Sequence, residues 1–299
     1  MKFWMILFLI LPYILYPFEW PVKQNKTKSL IISSTFGESR LDHFHNGLDI
    51  PGENRKVYPV AKGKVVWQTK GNRRYGEIPF GGGTTMILYH PKEKMLSGYM
   101  HLKPSLDNWE NNRFVNPNVA MGRSGKSGHS GGAHLHFFLF SLLEKAMLNP
   151  LLALPEDFYR NESKPKIKEY AILLPDRVSI LNPEKPFSLS GNYPLLARVV
   201  DSATATSKER WGIYFLKVET DTGSSLQSLL FQKILYRNFR WQTENLQVFE
   251  QVYAGPYYIL AYDLLKHPNL KITAGGYKGP SLTEGLHLQV TPLKTQASP

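Results

Sequence analysis

One apolar run with two histidines restricts the fold of this chain more than any other segment. Residues 134–140 read His-Leu-His-Phe-Phe-Leu-Phe. On a β-strand alternate side chains share a face, so we expect His134 and His136 to point into one cavity while Leu135 packs behind them. Burying two imidazoles without partners costs free energy. The run therefore predicts a buried strand whose histidines bind a metal ion or take part in catalysis, and two satisfied core histidines are the alternative.

A second array places a histidine and a carboxylate close together. His45 and Asp49 are four residues apart, and seven of the nine histidines fall between residues 43 and 136. Gly47 and the Pro51-Gly52 pair argue against a helix here. Imidazole nitrogens and carboxylate oxygens are preferred zinc ligands, and two histidines with one carboxylate leave a coordination position open, as in catalytic sites. His43 is a competing ligand.

The absence of cysteine and of one zinc-protease motif excludes several kinds of catalytic and metal site. The chain has no cysteine, which excludes disulfides, thiolate metal sites and cysteine nucleophiles. The helical zinc-protease pattern His-Glu-x-x-His is also absent, so no glutamate is placed by sequence as a general base.

The net charge of +12 is concentrated in the first half, where residues 1–155 hold 19 basic and 10 acidic side chains. Such a surface favours an anionic partner, and an anionic polymer of the cell envelope or a membrane surface fits. We expect no nucleic-acid partner, because the chain has no RNA-recognition motif, zinc finger or basic amphipathic helix. The oligomeric state is left open.

The first 18 residues resemble an export signal. Met1-Lys2 is followed by an uncharged stretch from Phe3 to Phe18, shorter than the roughly 20 residues that span a bilayer. No small-x-small cleavage site follows. We therefore predict residues 1–18 as a signal peptide or an uncleaved N-terminal anchor, and an exported protein of the periplasm or cell envelope.

The remaining chain predicts a mainly β protein. Short β-branched and aromatic runs are bounded by turn residues, and the polar segment 156–166 reads as a linker between residues 19–155 and an all-β sandwich over 167–297. Thr69 to Gly83 and Lys103 to Pro117 are predicted loops that border a substrate groove. The predicted strands are Lys62 to Gln68, Thr84 to His90, Tyr170 to Leu174, Leu195 to Val200, Gly212 to Glu219, Tyr257 to Tyr262 and Leu286 to Thr291.

Several blocks in order resemble a known family. From about Trp20 to Leu152 the chain is similar to the LytM-type zinc endopeptidases of peptidoglycan, peptidase family M23. The blocks are Thr35 to Ile50, with its His-x-Gly-x-Asp-Ile ending, Val57 to Val65, Tyr99-Met100-His101-Leu102, Ser127 to Phe137 and Asn149-Pro150-Leu151.

This resemblance implies a fold, a cofactor and residue roles. The fold would be a LytM-like antiparallel β-sheet domain. His45, Asp49 and His136 would hold one Zn²⁺, and His101 and His134 would be the unligated catalytic pair. The implied reaction is hydrolysis of peptide cross-links in bacterial peptidoglycan, in cell-wall remodelling or lysis, with the peptide stems as partners. The role of His101 follows from the resemblance alone.

Alternatives stay open at this point. A relative of the same fold could bind peptidoglycan or activate another hydrolase without catalysis. We expect the scissile bond to be a D-Ala–diaminopimelate cross-link, and a glycine-containing bridge is the second candidate. Phe138 stands where the family usually has glutamate, and His90 and His129 have no assigned role. The second half resembles β-sandwich modules that follow this peptidase domain in some envelope proteins, through Gly212-Ile213-Tyr214 and Glu284 to Leu288.

Overall fold

The fold is described by a computed structural model over residues 18–23, 32–69, 81–104, 113–204 and 211–293. The regular secondary structure of these residues is almost entirely β-strand, so the prediction of a mainly β protein is confirmed. One α-helical turn, α1, spans Phe249–Val252, and two 3₁₀ turns span Pro150–Leu152 and Glu156–Phe158. The predicted signal or anchor, except Phe18, lies outside the described residues. Within the described ranges, no helix has the length and apolar character needed to cross a membrane.

The described part of the first half contains nine strands. They are β1 Leu48–Pro51, β2 Lys56–Val57, β3 Gly63–Thr69, β4 Thr84–His90, β5 Met95–Leu102, β6 Phe114–Val115, β7 Gly122–Arg123, β8 His134–Ser141 and β9 Ala146–Leu148.

The second half supplies thirteen more. They are β10 Lys166–Leu173, β11 Val178–Leu181, β12 Phe187–Leu189, β13 Leu195–Val200, β14 Phe215–Thr220, β15 Ser225–Leu230, β16 Lys233–Arg237, β17 Arg240–Gln242, β18 Tyr253–Ala254, β19 Tyr257–Ala261, β20 Asn269–Gly275, β21 Ser281–His287 and β22 Val290–Pro292.

A large antiparallel sheet forms the first half around the histidine-containing strand. Its order is β17-β16-β9-β8-β5-β4-β3-β6, and β1 also pairs with β8. Leu135, Phe137 and Leu139 on alternate positions of β8 are fully buried and pack in one core with Tyr99 and Met86. This alternation leaves the other face of β8 to His134 and His136.

The second half is a β-sandwich. One sheet has the order β11-β10-β13-β19-β18 and the other β15-β14-β20-β21. Side chains of both sheets share one core: Ile172 and Leu260 come from the first, and Val218 and Ile272 from the second. Two sheets that bury their inner faces against each other define this architecture.

Most predicted strands are found, although several bounds differ: β10 begins at Lys166 instead of Tyr170, and β14 begins at Phe215 instead of Gly212. Thr84 to His90 and Leu195 to Val200 match β4 and β13 residue for residue. A single strand over Leu286 to Thr291 is wrong, because β21 ends at His287 and the chain then changes partner: β22 pairs in parallel with β12. Of the two predicted loops, residues 70–80 and 105–112 lie outside the described ranges.

The two halves share a sheet and side chains. The hairpin of β16 and β17 extends the first-half sheet, because Lys233 to Leu235 of β16 pair antiparallel with Ala146 to Leu148 of β9. Phe44 of the first half packs in the sandwich core, and Trp211 of the second half donates from Nε1 to the Ile32 carbonyl at 2.8 Å. The division at residues 156–166 stays a prediction, and strand pairing crosses it.

Candidate metal centre

Strand pairing brings the separate sequence motifs together. β1 runs antiparallel to β8, which places Asp49 opposite His136 and Pro51 opposite His134. On the other side of β8, Met100 of β5 lies opposite His136, so that His101 follows at the end of the same strand. Residues about 90 apart in sequence therefore meet on one face of the sheet.

Three side chains form a compact cluster whose ligand atoms lie within 4.8 Å of one another: His45, Asp49 and His136. Nδ1 of His136 lies 2.9 Å from Oδ1 of Asp49, and Nε2 of His45 lies 3.1 Å from Nδ1 of His136 and 3.2 Å from Oδ1 of Asp49. All three residues are buried. Two imidazole nitrogens and a carboxylate oxygen converging on one point form a donor set that suits a divalent transition-metal ion.

The far nitrogen of each clustered imidazole is fixed by a protein oxygen. Nδ1 of His45 donates to the Thr35 carbonyl at 2.7 Å, and Nε2 of His136 donates to Oδ1 of Asn46 at 3.0 Å. Each bond places the proton on the outer nitrogen and leaves the lone pair of the inner nitrogen directed at the cluster. Such outer contacts orient metal-ligating histidines and set their tautomer.

The charge states suit metal binding as well. Burial, partly opposed by the hydrogen bond to Asp49, lowers the pKa of His136 to about 4, so this imidazole is neutral at pH 7. Burial alone would raise the pKa of the Asp49 carboxyl, but the adjacent His45 and His136 imidazoles hold it well below its usual range. Nη2 of Arg40 donates to Oδ2 of Asp49 at 2.7 Å and leaves Oδ1 directed at the histidines.

A second pair of histidines flanks the cluster. The rings of His101 and His134 have centroids 4.7 Å apart, and Nε2 of His134 lies 3.6 Å from Oδ1 of Asp49. Nδ1 of His134 donates to the Gly132 carbonyl at 2.8 Å, and Nδ1 of His101 donates to the Ser127 carbonyl at 2.8 Å. In both neutral rings the unprotonated nitrogen is therefore Nε2. Burial lowers the pKa of His101 and favours this neutral form.

The backbone at His101 adopts a conformation that is uncommon for a histidine. Its φ is +59°, in the left-handed region, and its amide donates to the Gly82 carbonyl at 2.8 Å. Non-glycine residues held there cost roughly 1–3 kcal/mol and cluster at functional sites. The left-handed turn at the end of β5 places the His101 ring beside His134.

The other histidines of the first half lie apart from this cluster. His43 is exposed and contacts Oδ1 of Asp42 at 2.6 Å, although it was a competing ligand by sequence. His90 is fully buried, with Nδ1 3.1 Å from the Lys62 carbonyl and Nε2 2.8 Å from Oγ of Ser97. His129 is exposed on the glycine-rich approach to β8.

Two residues at the centre were missed by sequence reasoning. Arg40 and Asn46 orient Asp49 and His136, yet neither belongs to a spacing pattern for metal ligands. Their closeness in sequence to His45 and Asp49 was the available signal. Phe138, which replaces the family's usual glutamate, packs on Gly98; a Cβ at Gly98 would lie 2.0 Å from the Phe138 ring.

Comparison with known proteins identifies the first half. Residues 43–150 match the model of peptidase family M23, and this range contains all five predicted site residues. The chain has no significant match among curated protein sequences.

Similar solved structures cover parts of the chain. The catalytic domain of the antimicrobial peptidase lysostaphin from Staphylococcus simulans is 26% identical over 37% of this chain and 80% of its own, with a TM-score of 0.32. A zinc-containing peptidase from Vibrio cholerae is 25% identical over 41% of this chain and 36% of its own, with a TM-score of 0.33. LytU is 23% identical over 40% of this chain and 78% of its own, with a TM-score of 0.32. By this match, residues 43–150 of the chain are similar to peptidase family M23.

Proposed function

We propose that this protein is a zinc-dependent endopeptidase that hydrolyses peptide cross-links of bacterial peptidoglycan. The proposal rests on one observation: the His101–His134 pair lies beside the cluster of His45, Asp49 and His136. A structural zinc site is closed by four protein ligands. Three converging ligands with two further imidazoles alongside suit a catalytic site.

The residues present fit one zinc ion. Their donors are two imidazole nitrogens and one carboxylate oxygen, and the outer hydrogen bonds to Thr35 and Asn46 hold the rings in the required tautomers. A zinc ion bound there would supply activation of water, by lowering its pKa from 15.7 to roughly 7, and polarisation of the scissile carbonyl. Arg40 contacts Oδ2 of Asp49 and keeps Oδ1 turned towards the histidines.

The catalytic pair would move the protons. Because Nδ1 of both His101 and His134 donates to a backbone carbonyl, each neutral ring presents a lone pair on Nε2. Either ring can accept a proton from the attacking water. The imidazolium that results can donate to the negatively charged oxygen of the tetrahedral intermediate or to the leaving amine. General acid–base catalysis of this kind contributes about 10² to 10⁴ in rate.

A peptidoglycan substrate would require an enzyme that acts outside the cytoplasm. We propose that it acts in the periplasm or cell envelope, with residues 1–18 as signal peptide or anchor. The peptidase part would span residues 19–155, and the sandwich of residues 167–297 would follow the linker.

The decisive experiment measures cleavage and zinc content together. The purified full chain, zinc-loaded or stripped with a chelator, is incubated with cross-linked peptidoglycan, and new amino termini are quantified. We expect chelator-sensitive release. His136→Ala should lose zinc and cleavage, whereas His101→Ala should keep zinc and lose about 10²-fold or more in rate.

Matched controls separate the roles. His43→Ala should retain zinc, because His43 lies outside the cluster although it is two residues from His45. His287→Ala, an exposed histidine of the sandwich, should leave cleavage unchanged. If the zinc-loaded protein releases no new amino termini, the chain is instead a peptidoglycan-binding or hydrolase-activating relative without catalysis.

A further inference from the structure

A cavity of about 340 Å³ lies where the two halves of the chain meet beside the metal centre. Asp42 and Asn46 line it from the first half, and Arg240, Trp241, Phe249 and Glu250 line it from the second. Small-ligand pockets typically have about 300–1,000 Å³ and an apolar lining with a few polar groups. Neither the family match nor the metal cluster assigns this cavity a role.

The cavity adjoins the metal cluster through one side chain. Asn46 lines it, and Oδ1 of Asn46 accepts a hydrogen bond from Nε2 of His136 at 3.0 Å. Phe44 lies two residues before, and its ring packs against Phe249 with centroids 5.3 Å apart. A ligand in the cavity would therefore sit next to the segment that presents His45, and the sandwich half fixes the position of that segment.

The aromatic wall of the cavity is held by sheet pairing. Trp241 belongs to β17, which pairs with β16; β16 pairs with β9, and β9 with β8. The Trp241 ring is 39% exposed and the ring of Tyr236 next to it is 43% exposed, with centroids 5.0 Å apart. Continuous strand pairing therefore fixes the position of Trp241 relative to His136.

The polar groups of the cavity indicate a neutral ligand. Arg240 and Glu250 carry opposite charges, and Asp42 is paired with His43, whose Nδ1 lies 2.6 Å from Oδ1 of Asp42. Neither Glu250 nor Arg240 forms an ion pair with any residue that the structure describes, so both have free hydrogen-bonding capacity. The lining therefore has no excess of positive charge to attract a carboxylate-rich peptide stem. A pyranose ring has an apolar C–H face for the negative face of an indole and hydroxyls that both donate and accept.

We propose that this cavity is a glycan subsite, which binds an N-acetylhexosamine ring of the strand whose peptide cross-link enters the metal centre. The link to cleavage rests on the proposed function, but binding of the sugar does not. The second half of the chain would then be part of the substrate site, because its hairpin and helix α1 complete the subsite.

The first test measures binding alone. A β-1,4-linked N-acetylglucosamine tetramer is titrated into the full chain, and affinity is read by calorimetry and tryptophan fluorescence. We expect saturable binding that Trp241→Ala weakens by about tenfold or more, because the variant removes the aromatic face against which the sugar ring packs. Glu250→Gln, at an exposed position, should weaken binding without a risk to folding.

The hairpin offers a matched control. Phe239 lies at its tip, is 91% exposed and does not line the cavity. Phe239→Ala removes an exposed aromatic ring two residues from Trp241, and it should leave sugar affinity unchanged. Equal losses in the Phe239 and Trp241 variants would overturn the proposal, because they would indicate nonspecific adhesion to aromatic rings.

The second test measures whether sugar binding lowers the KM for cleavage. Kinetics are compared for a cross-linked muropeptide with its sugars and for the same cross-linked peptide without sugars. We expect a lower KM with sugars, and Trp241→Ala should raise that KM to the sugar-free value. The same KM for both substrates, or saturable binding of the bare stem peptide that Trp241→Ala abolishes, would overturn the subsite. If the tetramer binds but neither substrate is cleaved, the proposed function fails and the subsite stands.

Discussion

Two buried carboxylates, one in each half of the chain, show opposite effects of their surroundings. Asp49 is 9% exposed and Asp201 is 1% exposed. Asp49 contacts Arg40, His45 and His136. Asp201 accepts from Nδ2 of Asn161 at 2.6 Å through Oδ2, and its Oδ1 has no partner among the described residues. Burial raises the pKa of Asp201 to about 6, whereas the pKa of Asp49 is held well below its usual range.

The difference shows that burial does not by itself decide the charge of a carboxyl. Desolvation opposes ionisation in both residues. At Asp49 the neighbouring imidazoles reverse the effect and leave an anion for a cation to bind. At Asp201 the hydrogen bonds from the Ser202 backbone amide and the Asn161 side chain do not compensate, so the group disfavours folding once it is ionised. The same Asp→Asn substitution should therefore have opposite consequences in the two halves.

The largest effect is expected from Asp49→Asn. This substitution keeps the shape and removes the anionic ligand, so zinc affinity should fall by more than about 100-fold, beyond the 10- to 100-fold typical of losing an outer partner. Zinc affinity is measured by competition with a chromogenic chelator. Unchanged affinity would mean that Asp49 is not a ligand and would remove the contrast with Asp201.

A smaller effect is expected from Arg40→Ala, which leaves all three ligands in place. Without the contact between Nη2 and Oδ2 at 2.7 Å, the carboxylate is free to turn, and zinc affinity should fall by about 10- to 100-fold. The control is Arg198→Ala, because Arg198 is half-exposed and lies 3.7 Å from Glu169, away from the cluster. Equal affinities in both variants would contradict the orienting role of Arg40.

The smallest effect, and one of opposite sign, is expected from Asp201→Asn. The folded-state pKa of Asp201, about 6, lies above its ordinary value of 3.8. The folded state therefore binds more protons between these values, and wild-type stability falls as pH rises from about 4 to 6. The variant escapes this loss. It should match wild type near pH 4 and exceed it by about 2 kcal/mol at pH 7.

Urea unfolding at several pH values measures this difference. Asp176→Asn is the control, because Asp176 is exposed and pairs with Arg177 at the surface. Its stability should stay within about 0.5 kcal/mol of wild type at each pH. A stability difference for Asp201→Asn that does not change with pH would show that Asp201 does not titrate in this range.

The sequence predicted the elements of the site better than their assembly. Alternation along β8 predicted that His134 and His136 share a face, because the two-residue period of a strand is a local property. It could not place Asp49 opposite His136, since strand register between distant segments follows from the whole fold. His101 required the family resemblance. The roles of all five residues stay predictions until cleavage and zinc binding are measured.

The second half was predictable as a β-sandwich and unpredictable in its contact with the first. Turn residues between short apolar runs indicated its strands, several with nearly the observed bounds. Nothing in the run from Lys233 to Gln242 indicated that β16 would pair with β9 instead of a sandwich strand. The break after His287 was missed for the same reason: residues 286–291 are uniformly strand-like, and only the change of partner from β20 to β12 divides them.

Because β16 pairs with β9, the first half of the chain depends on the second half to cover part of its surface. A peptidase domain that ended at residue 155 would leave β9 as an open edge with unpaired backbone groups, and such edges favour aggregation. It would also expose Phe44, which the sandwich covers. Separating the two halves would therefore require compensating changes both at the β9 edge and around Phe44.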